Sequence, residues 1–286
     1  MRLPTFVRPT LPLLLALAAP TEIVAQVDAK PEPAASKLAE WPPLKQTDTD
    51  RVLALVGQFR KEDPELHAEA RKQLLAIGDG AMPLLMQQVS DRTENINTDL
   101  FALFDTMLEP RHSALMARET KKPRTELRRY LVRRLCRFGD ASLLPVLQTT
   151  SKDKDEATAF YASLGMLALK RREAVPAVLA YTKTQWKDVG PLVAEVLPAA
   201  RSLEVGNWVC EAIAKANAAD QMAGLRLLRY LGVKEHQLIL RTYLQAPDHT
   251  VKKEAINTMR VMHGQEPIEN LTVFQAIEMA KEWLQK

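Results

Sequence analysis

The spacing of apolar residues along the chain predicts a repeated pair of helices. In five segments, apolar positions are separated by four, four and three residues, which places them on one face of an amphipathic helix. Each of these faces ends directly before a turn. The five faces are Leu66, Ala70, Leu74 and Ile77; Ile96, Leu100, Phe104 and Met107; Leu127, Leu131, Leu135 and Phe138; Val189, Val193, Leu197 and Ala200; and Val251, Ala255, Met259 and Met262.

The turns that follow these faces are regularly spaced. The faces are followed directly by positions 78, 108, 139, 201 and 263, so the last two intervals are twice as long as the first two. Two further turns are therefore expected near positions 170 and 232, and helical patterns flank both places. The chain is predicted to hold about seven units of about 31 residues, each a helix, a tight turn and a second helix. A fixed period of this size predicts an all-α fold built as a helical solenoid.

The stretch ARKQLLAIGDGAMPLL, residues 70–85, explains how one unit turns. Gly78 is expected to end the first helix, because glycine adopts a left-handed backbone at little cost. Asp79 is expected to cap the next helix, and Pro83 lies near its start, where a missing N–H does least harm. Pro145 and Pro176 repeat this arrangement in later units.

Two segments carry a resemblance to a known family. ARKQLLAIGDGAMPLLMQQV and LVRRLCRFGDASLLPVL, which begin at residues 70 and 131, resemble HEAT repeats of the short class of about 30 residues. The resemblance covers about residues 49–286. It implies a right-handed α-solenoid whose second helices line a concave surface that usually binds another macromolecule, and it implies no common catalytic residue. The segment 272–286 is expected to close the end of the solenoid as a capping helix, with Phe274, Ile277 and Trp283 packed inward.

The N-terminal region has a different character. Residues 1–25 contain the basic residues Arg2 and Arg8, then the apolar run LPLLLALAAP, and finally the small residue Ala25. This order predicts a secretory signal peptide that is cleaved after Ala25. A mitochondrial-type presequence or a disordered N-terminus is the alternative. The run is too short to cross a bilayer, which needs about 20 residues. The prediction is an exported protein, periplasmic or secreted, with no stable membrane span after cleavage.

A proline-rich stretch separates the signal from the repeats. Residues 26–48 hold four prolines and no apolar periodicity, so they are predicted to form a disordered linker before the repeat domain at 49–286. Trp41 is expected to dock on the first helix, in preference to acting as a linear motif. Cys136 and Cys210 fall in predicted helices two units apart, too far for a disulfide, so both are expected to be free thiols.

Candidate chemistry is sparse. No nucleotide-binding, metalloprotease, hydrolase or CxxC motif is present, and none of the five histidines has a second ligand at metal-binding spacing; each is expected to face solvent or lie in a turn. No catalytic residue, metal site or cofactor is predicted, and the chain is expected not to be an enzyme. Trp186 and Trp208 are possible surface anchors, although core packing is the favoured interpretation for Trp208.

The most conspicuous charge feature is an arginine stripe. Arg129, Arg133 and Arg137 lie on one face of a predicted helix, and Arg128 widens it. These four residues are the candidate binding residues for a phosphate, an acidic polymer or an acidic protein patch. The alternative is a solvated outer helix with local ion pairs, for instance to Glu126. The net charge of +4 permits a nucleic-acid partner without requiring one.

Two main functions follow from these features. The first is an exported, non-enzymatic scaffold that binds a protein partner through its concave surface. The second is a polyanion or nucleic-acid binder that uses the stripe from Arg129 to Arg137, which is less favoured because the stripe lacks interleaved aromatic residues. An enzyme, for example a repeat-type pigment lyase, is the least favoured class.

Overall fold

All regular structure in the described part of the chain is helical, which confirms the all-α prediction. The computed structural model describes residues 37–92 and 94–285, and no strand occurs within those ranges. Fourteen α-helices are found there. They are α1 Gln46–Gln58, α2 Pro64–Ile77, α3 Met82–Gln88, α4 Glu94–Met107, α5 Ser113–Glu119, α6 Thr125–Leu135, α7 Leu144–Thr150, α8 Glu156–Ala168, α9 Val175–Val196, α10 Leu203–Ile213, α11 Ala218–Leu231, α12 Gln237–Leu244, α13 His249–Met262 and α14 Val273–Gln285.

Short 3₁₀ turns separate many of these helices. The first four turns begin at positions 79, 110, 141 and 172, which is one constant interval, as the apolar pattern predicts. The turns expected near positions 170 and 232 are also present. The six turns are Asp79–Ala81, Pro110–His112, Ala141–Leu143, Arg172–Ala174, Leu197–Ala200 and Lys234–His236.

Left-handed residues and prolines shape the turns. Gly78 has a φ of 81° and Gly139 a φ of 60°, and Lys170 takes the same backbone region with a φ of 58°. The prolines of the pattern occupy the first turns of α3, α7 and α9. Asp140 caps its turn by accepting a hydrogen bond from the backbone N–H of Ser142 at 3.0 Å. The capping role predicted for Asp79 is wrong, because its side chain makes no cap hydrogen bond.

The helices pack in two rows. The first row consists of α2, α4, α6, α8 and α11, each of which precedes a turn, and α13. The second row consists of α1, of α3, α5, α7, α10 and α12, each of which follows a turn, and α14. Contacts run from α6 to α8, from α11 to α13, and from α12 to α14, while α9 contacts helices of both rows. The core lies between the rows. Most residues of the five predicted apolar faces are buried, whereas Leu66, in the first turn of α2, is 37% exposed.

Helix α9 departs from the repeated pattern. It follows one turn and precedes another, so it spans two units without a loop between them. Its regular backbone is interrupted at Gln185, where φ is −109° and ψ is 17°, which divides it into two arms. The sequence pattern predicts a separate helix around residues 189–200, but the chain reaches it through a kink. No left-handed residue interrupts this helix.

An extended segment precedes α1, and we call residues 37–45 the N-terminal strap. The amino group of Lys37 lies 2.6 Å from a carboxylate oxygen of Asp140. The backbone N–H of Leu38 donates to the carbonyl of Arg111 at 2.9 Å. Since Asp140 and Arg111 belong to different turns, the strap passes over successive turns in the reverse of their order in the chain.

The strap continues over the turn that contains Arg111 and then reaches the turn before it. The indole of Trp41 stacks on the imidazole of His112, with ring centroids 5.3 Å apart. The ring contact of Trp41 is thus with a turn, whereas the sequence analysis expects it to dock on the first helix. Further along, the carbonyl of Pro42 lies so near Gly80 that an added Cβ would be 3.2 Å from it. The stretch predicted as a linker thus makes specific contacts from Lys37 onwards, and its last residues lie in α1, which begins at Gln46.

The N-terminal prediction concerns residues that the structure does not describe. The predicted signal peptide and its cleavage site after Ala25 lie outside the described residues. None of the helices in the described ranges has the length and apolar character needed to cross a membrane.

The C-terminal helix α14 packs largely as predicted. Trp283 is buried in α14 and Ile277 is half-buried, as expected. Phe274 is 73% exposed, so its predicted inward packing is wrong: it lies in the first turn of α14, beyond the part of the helix that meets the core.

Candidate functional site

The arginine stripe lies on α6, and two of its members are bound by acids from the loop before α8. The Nε of Arg128 is 2.6 Å from a carboxylate oxygen of Asp153, and both side chains are more than four-fifths buried. Arg129 donates two hydrogen bonds to Asp155, at 3.1 and 2.7 Å, and a third to Glu126 at 2.8 Å. These two guanidinium groups are therefore neutralised within the fold.

The other two members of the stripe have different surroundings. The Nε of Arg137 is 2.8 Å from a carboxylate oxygen of Glu195, on the second arm of α9. The guanidinium carbon of Arg133 lies 6.0 Å from the centre of the Tyr161 ring, and this arginine has no carboxylate partner among the residues described. Only one of the four candidate binding residues is thus left without an acidic partner in that part of the chain.

The Arg129–Asp155 pair makes stability depend on pH. Its hydrogen bonds lower the pKa of Asp155 to about 2, below the ordinary value near 3.9. Because the folded-state pKa is depressed, this stabilisation is present above about pH 4 and is lost as the pH falls towards 2. We expect Asp155→Asn to lower the free energy of unfolding at pH 7 by about 1 kcal/mol, measured by urea denaturation.

The asparagine keeps the capping role of the residue, since Asp155 also accepts from the backbone N–H of Thr158 at 2.9 Å. The stability difference from wild type should shrink as the pH falls from 4 to 2. Asp188→Asn, on the exposed side of α9, is the matched control and should leave stability unchanged. A difference between Asp155→Asn and wild type that is constant from pH 7 to pH 2 would contradict the assignment.

Most of the exposed large apolar side chains belong to three helices. Among the described residues, eight large apolar side chains are exposed, and five of them belong to α10, α12 and α14. We call these five residues the apolar rim. They are Leu203 at 48% exposed, Leu238 at 75%, Ile239 at 39%, Val273 at 42% and Phe274 at 73%.

The residues of the apolar rim lie at or near the starts of three neighbouring helices. Leu203 is the first residue of α10, Leu238 the second of α12, and Val273 and Phe274 the first two of α14. The turn before α12 contacts α10, and α12 contacts α14. Single exposed apolar residues are common, whereas a group of this kind is typical of an interaction surface.

Sequence reasoning missed the apolar rim. Leu203 and Leu238 lie outside the five regular faces, and the pattern assigns Phe274 to the core. The signal that was available is their spacing, because Leu203, Leu238 and Val273 are evenly spaced along the chain. Trp208, one turn after Leu203, is half-buried against the core, which agrees with the favoured interpretation.

Two of the histidines are buried in turns. The sequence analysis predicts that each histidine faces solvent or lies in a turn. His112 and His236 lie in turns, but their side chains are fully inaccessible to solvent. In each case Nδ1 accepts a hydrogen bond from the backbone N–H three residues earlier, at 3.1 Å for His112 and 3.0 Å for His236. The Nε2 of His112 lies 3.1 Å from Asp79. These histidines therefore hold turn conformations and pack between units.

The two thiols do not form a reactive centre. Cys136 and Cys210 are free and buried, as predicted. Burial raises the pKa of Cys136 to about 12 and that of Cys210 to about 11, so both are protonated at neutral pH. Within the described ranges, no three His, Cys, Asp or Glu side chains form a group that could hold a metal ion.

Comparison with known proteins yields one similarity. No protein-family model matches the chain, and no curated protein matches it. Among solved structures, it is similar to human deoxyhypusine hydroxylase in complex with glycerol, with 15% sequence identity and a TM-score of 0.32. The similarity covers 84% of this chain and 97% of that chain. A likeness this distant transfers no residue role or activity.

One expectation is not retained. The sequence analysis expects that the chain is not an enzyme, whereas the similar structure is that of a hydroxylase. The basis of this expectation was the absence of familiar catalytic motifs, and such an absence excludes only the families that carry those motifs.

Proposed function

We propose that the chain is a helical-repeat protein of the HEAT type, a right-handed α-solenoid, that binds a protein partner through its second-row helices. The observation that carries the proposal is the apolar rim on α10, α12 and α14. Burying an exposed leucine or phenylalanine in an interface stabilises a complex by about 1.5–3 kcal/mol per side chain before the costs of association. Five exposed apolar residues on three neighbouring helices suit a protein surface with its own apolar residues.

A protein partner is favoured over a polyanion by the state of the arginine stripe. Three of its four guanidinium groups are paired with Asp153, Asp155 and Glu195. Phosphates would have to displace these carboxylates, and a single unpaired arginine gives little affinity. The proposal includes export through the N-terminal signal, so that the partner belongs to the cell envelope or its surroundings.

The test is capture of the partner by the full chain from an envelope extract after mild cross-linking, read by quantitative mass spectrometry. The rim variant carries Leu238→Glu and Phe274→Glu. The matched control carries Leu53→Glu and Leu75→Glu, at two exposed leucines on α1 and α2 outside the rim. We expect one dominant protein at near-stoichiometric yield with wild type and control, and at least a tenfold lower yield with the rim variant.

Two results would overturn the proposal. One is capture of the same protein, at equal yield, by the rim variant. The other is recovery of nucleic acid or acidic polymer without a protein, which would favour the arginine stripe. A salt titration of duplex and single-stranded DNA binding gives the second result independently, since phosphate contacts weaken steeply with salt.

A further inference from the structure

The first row of helices contains a cavity that the proposed function does not use. Its volume is about 500 Å³, within the range typical of small-molecule sites. Its walls come from the second arm of α9, from α11 and α13, and from the connection between α13 and α14. None of the residues of the apolar rim lines it. We call it the kink cavity, because Trp186, directly after the kink at Gln185, forms part of its wall.

Two departures from the repeated pattern meet at the kink cavity. The first is α9, which passes between units through a kink and contributes Trp186 and Pro191 to the wall. The second is the connection after α13, which is longer than the other turns and contributes Pro267. Asn257 fixes this connection by donating to the carbonyl of Ile268 at 3.0 Å and accepting from its N–H at 2.8 Å. Segments that depart from the regular pattern of a fold often form functional sites.

The cavity wall carries an excess of positive charge. Arg226 and Arg229 from α11 both bind Glu254 from α13, with Nε of Arg226 3.0 Å from a carboxylate oxygen. One carboxylate thus serves two guanidinium groups. Lys187 and Glu269, both exposed, add one positive and one negative charge, so the lining keeps one net positive charge.

The buried arginine is only partly compensated. The side chain of Arg229 is 8% exposed, and its Nε is buried without a hydrogen-bond partner among the described residues. Burial lowers the pKa of Arg229 even though Glu254 acts in the opposite direction. Desolvation of the cation therefore outweighs its pairing, and a further negative charge nearby would stabilise it.

The same wall offers an aromatic surface. The guanidinium carbons of Arg226 and Arg229 lie 5.4 and 5.9 Å from the centre of the Trp186 ring. Tyr230 and the two prolines add further apolar surface. Glu254 engages Nε and Nη2 of Arg226, which leaves Nη1 without a hydrogen bond to the residues described. A planar acceptor beside Trp186 would find this N–H group available.

From these features we propose that the kink cavity binds a small organic acid, in which a single carboxylate is attached to a flat aromatic body. The carboxylate supplies the missing negative charge beside Arg226 and Arg229, and its planar geometry suits a guanidinium group. The aromatic body packs on Trp186 and the prolines. A phosphate is a poorer match, since it brings more charge than the lining balances and no apolar surface.

The test is isothermal titration of the full-length chain with 2-naphthoate at low salt. The probes for comparison are 2-naphthamide, which keeps the rings without the charge, and inorganic phosphate, which keeps a charge without the rings. We expect saturable one-site binding of the naphthoate, at least tenfold tighter than binding of either comparison compound. Equal binding of acid and amide, or no binding of the acid, would overturn the proposal.

Variants locate the site. Ala194→Phe fills the cavity from the wall of α9, and Arg226→Gln removes one charge while leaving Arg229 paired with Glu254. Ala212→Phe, on the exposed side of α10, is the matched control. Circular dichroism and thermal melting verify the fold of each variant. Loss of naphthoate binding by at least tenfold in the first two variants, with the control unchanged, supports the site; unchanged binding in Ala194→Phe refutes it.

Discussion

Replacing Glu254 by glutamine is expected to lower the free energy of unfolding by about 3 kcal/mol, because it breaks a buried ion pair on one side. The substitution keeps the shape of the side chain but removes the carboxylate that compensates Arg229. The two side chains are 15% and 8% exposed, so the arginine would remain buried without a counter-ion. Urea denaturation of the full chain at pH 7, followed by circular dichroism, measures the loss.

An exposed pair of the same chemistry is the control. Glu278 lies 2.8 Å from Lys281 on α14, and the two side chains are 48% and 62% exposed. Glu278→Gln should change stability by less than about 0.5 kcal/mol. The double variant Arg229→Met with Glu254→Leu should recover most of the loss, because it removes the buried arginine together with the carboxylate and leaves only Arg226, whose side chain is 21% exposed. If Glu254→Gln loses no more stability than Glu278→Gln, the carboxylate does not compensate a buried cation.

Gly206→Ala is expected to destabilise the fold by about 2 kcal/mol, which is a typical cost of overpacking a close-packed core. Gly206 lies in α10, and an added Cβ would overlap two atoms of the His236 imidazole. The ring cannot move aside easily, because it is fully buried and its Nδ1 accepts from the backbone N–H of Val233. Thermal and urea unfolding of the variant against wild type provide the measurement.

Gly57→Ala is the matched substitution at a glycine with free space. This residue lies in α1. Apart from its chain neighbours and the adjacent backbone of its own helix, no atom lies within 4 Å of the position of an added Cβ. Alanine should stabilise the helix by about 0.5 kcal/mol, since glycine is the weaker helix former. Opposite signs for the two substitutions would separate the close packing at Gly206 from the general effect of glycine in a helix. A neutral or stabilising Gly206→Ala would show that His236 can be rearranged.

The parts of the fold that were predictable are those that depend on local periodicity. Apolar residues at helical spacing must face the core, so faces such as Ile96, Leu100 and Phe104 specify both a helix and its buried side. Gly78 and Gly139 mark turns, because few other residues adopt their backbone conformation at low cost. Recurrence at the constant interval of one unit then reveals turns with weaker local signals, such as the one at Lys170.

The features that escaped prediction depend on contacts between units. The sequence analysis allows local ion pairs for the stripe, such as that of Arg129 with Glu126. It misses the pairing of Arg128 and Arg129 with Asp153 and Asp155, because these acids belong to the next unit of the chain. Which residue of the next helix faces an arginine depends on how two helices pack, and periodicity does not carry that information. The kink in α9 was missed for a related reason. Its unit has an ordinary apolar face, and only its connection to the preceding helix is unusual.

The N-terminal strap has a consequence for the order in which the protein folds as it is synthesised. Lys37 hydrogen-bonds to Ser142, a residue 105 positions later. At a synthesis rate of about 5–20 residues per second, that partner leaves the ribosome roughly 5–20 s after Lys37 does. Helices α1 to α6 emerge during this interval, before the turn that the start of the strap contacts. The start of the strap, which emerges before the helices, is therefore among the last segments in its half of the molecule to form its native contacts.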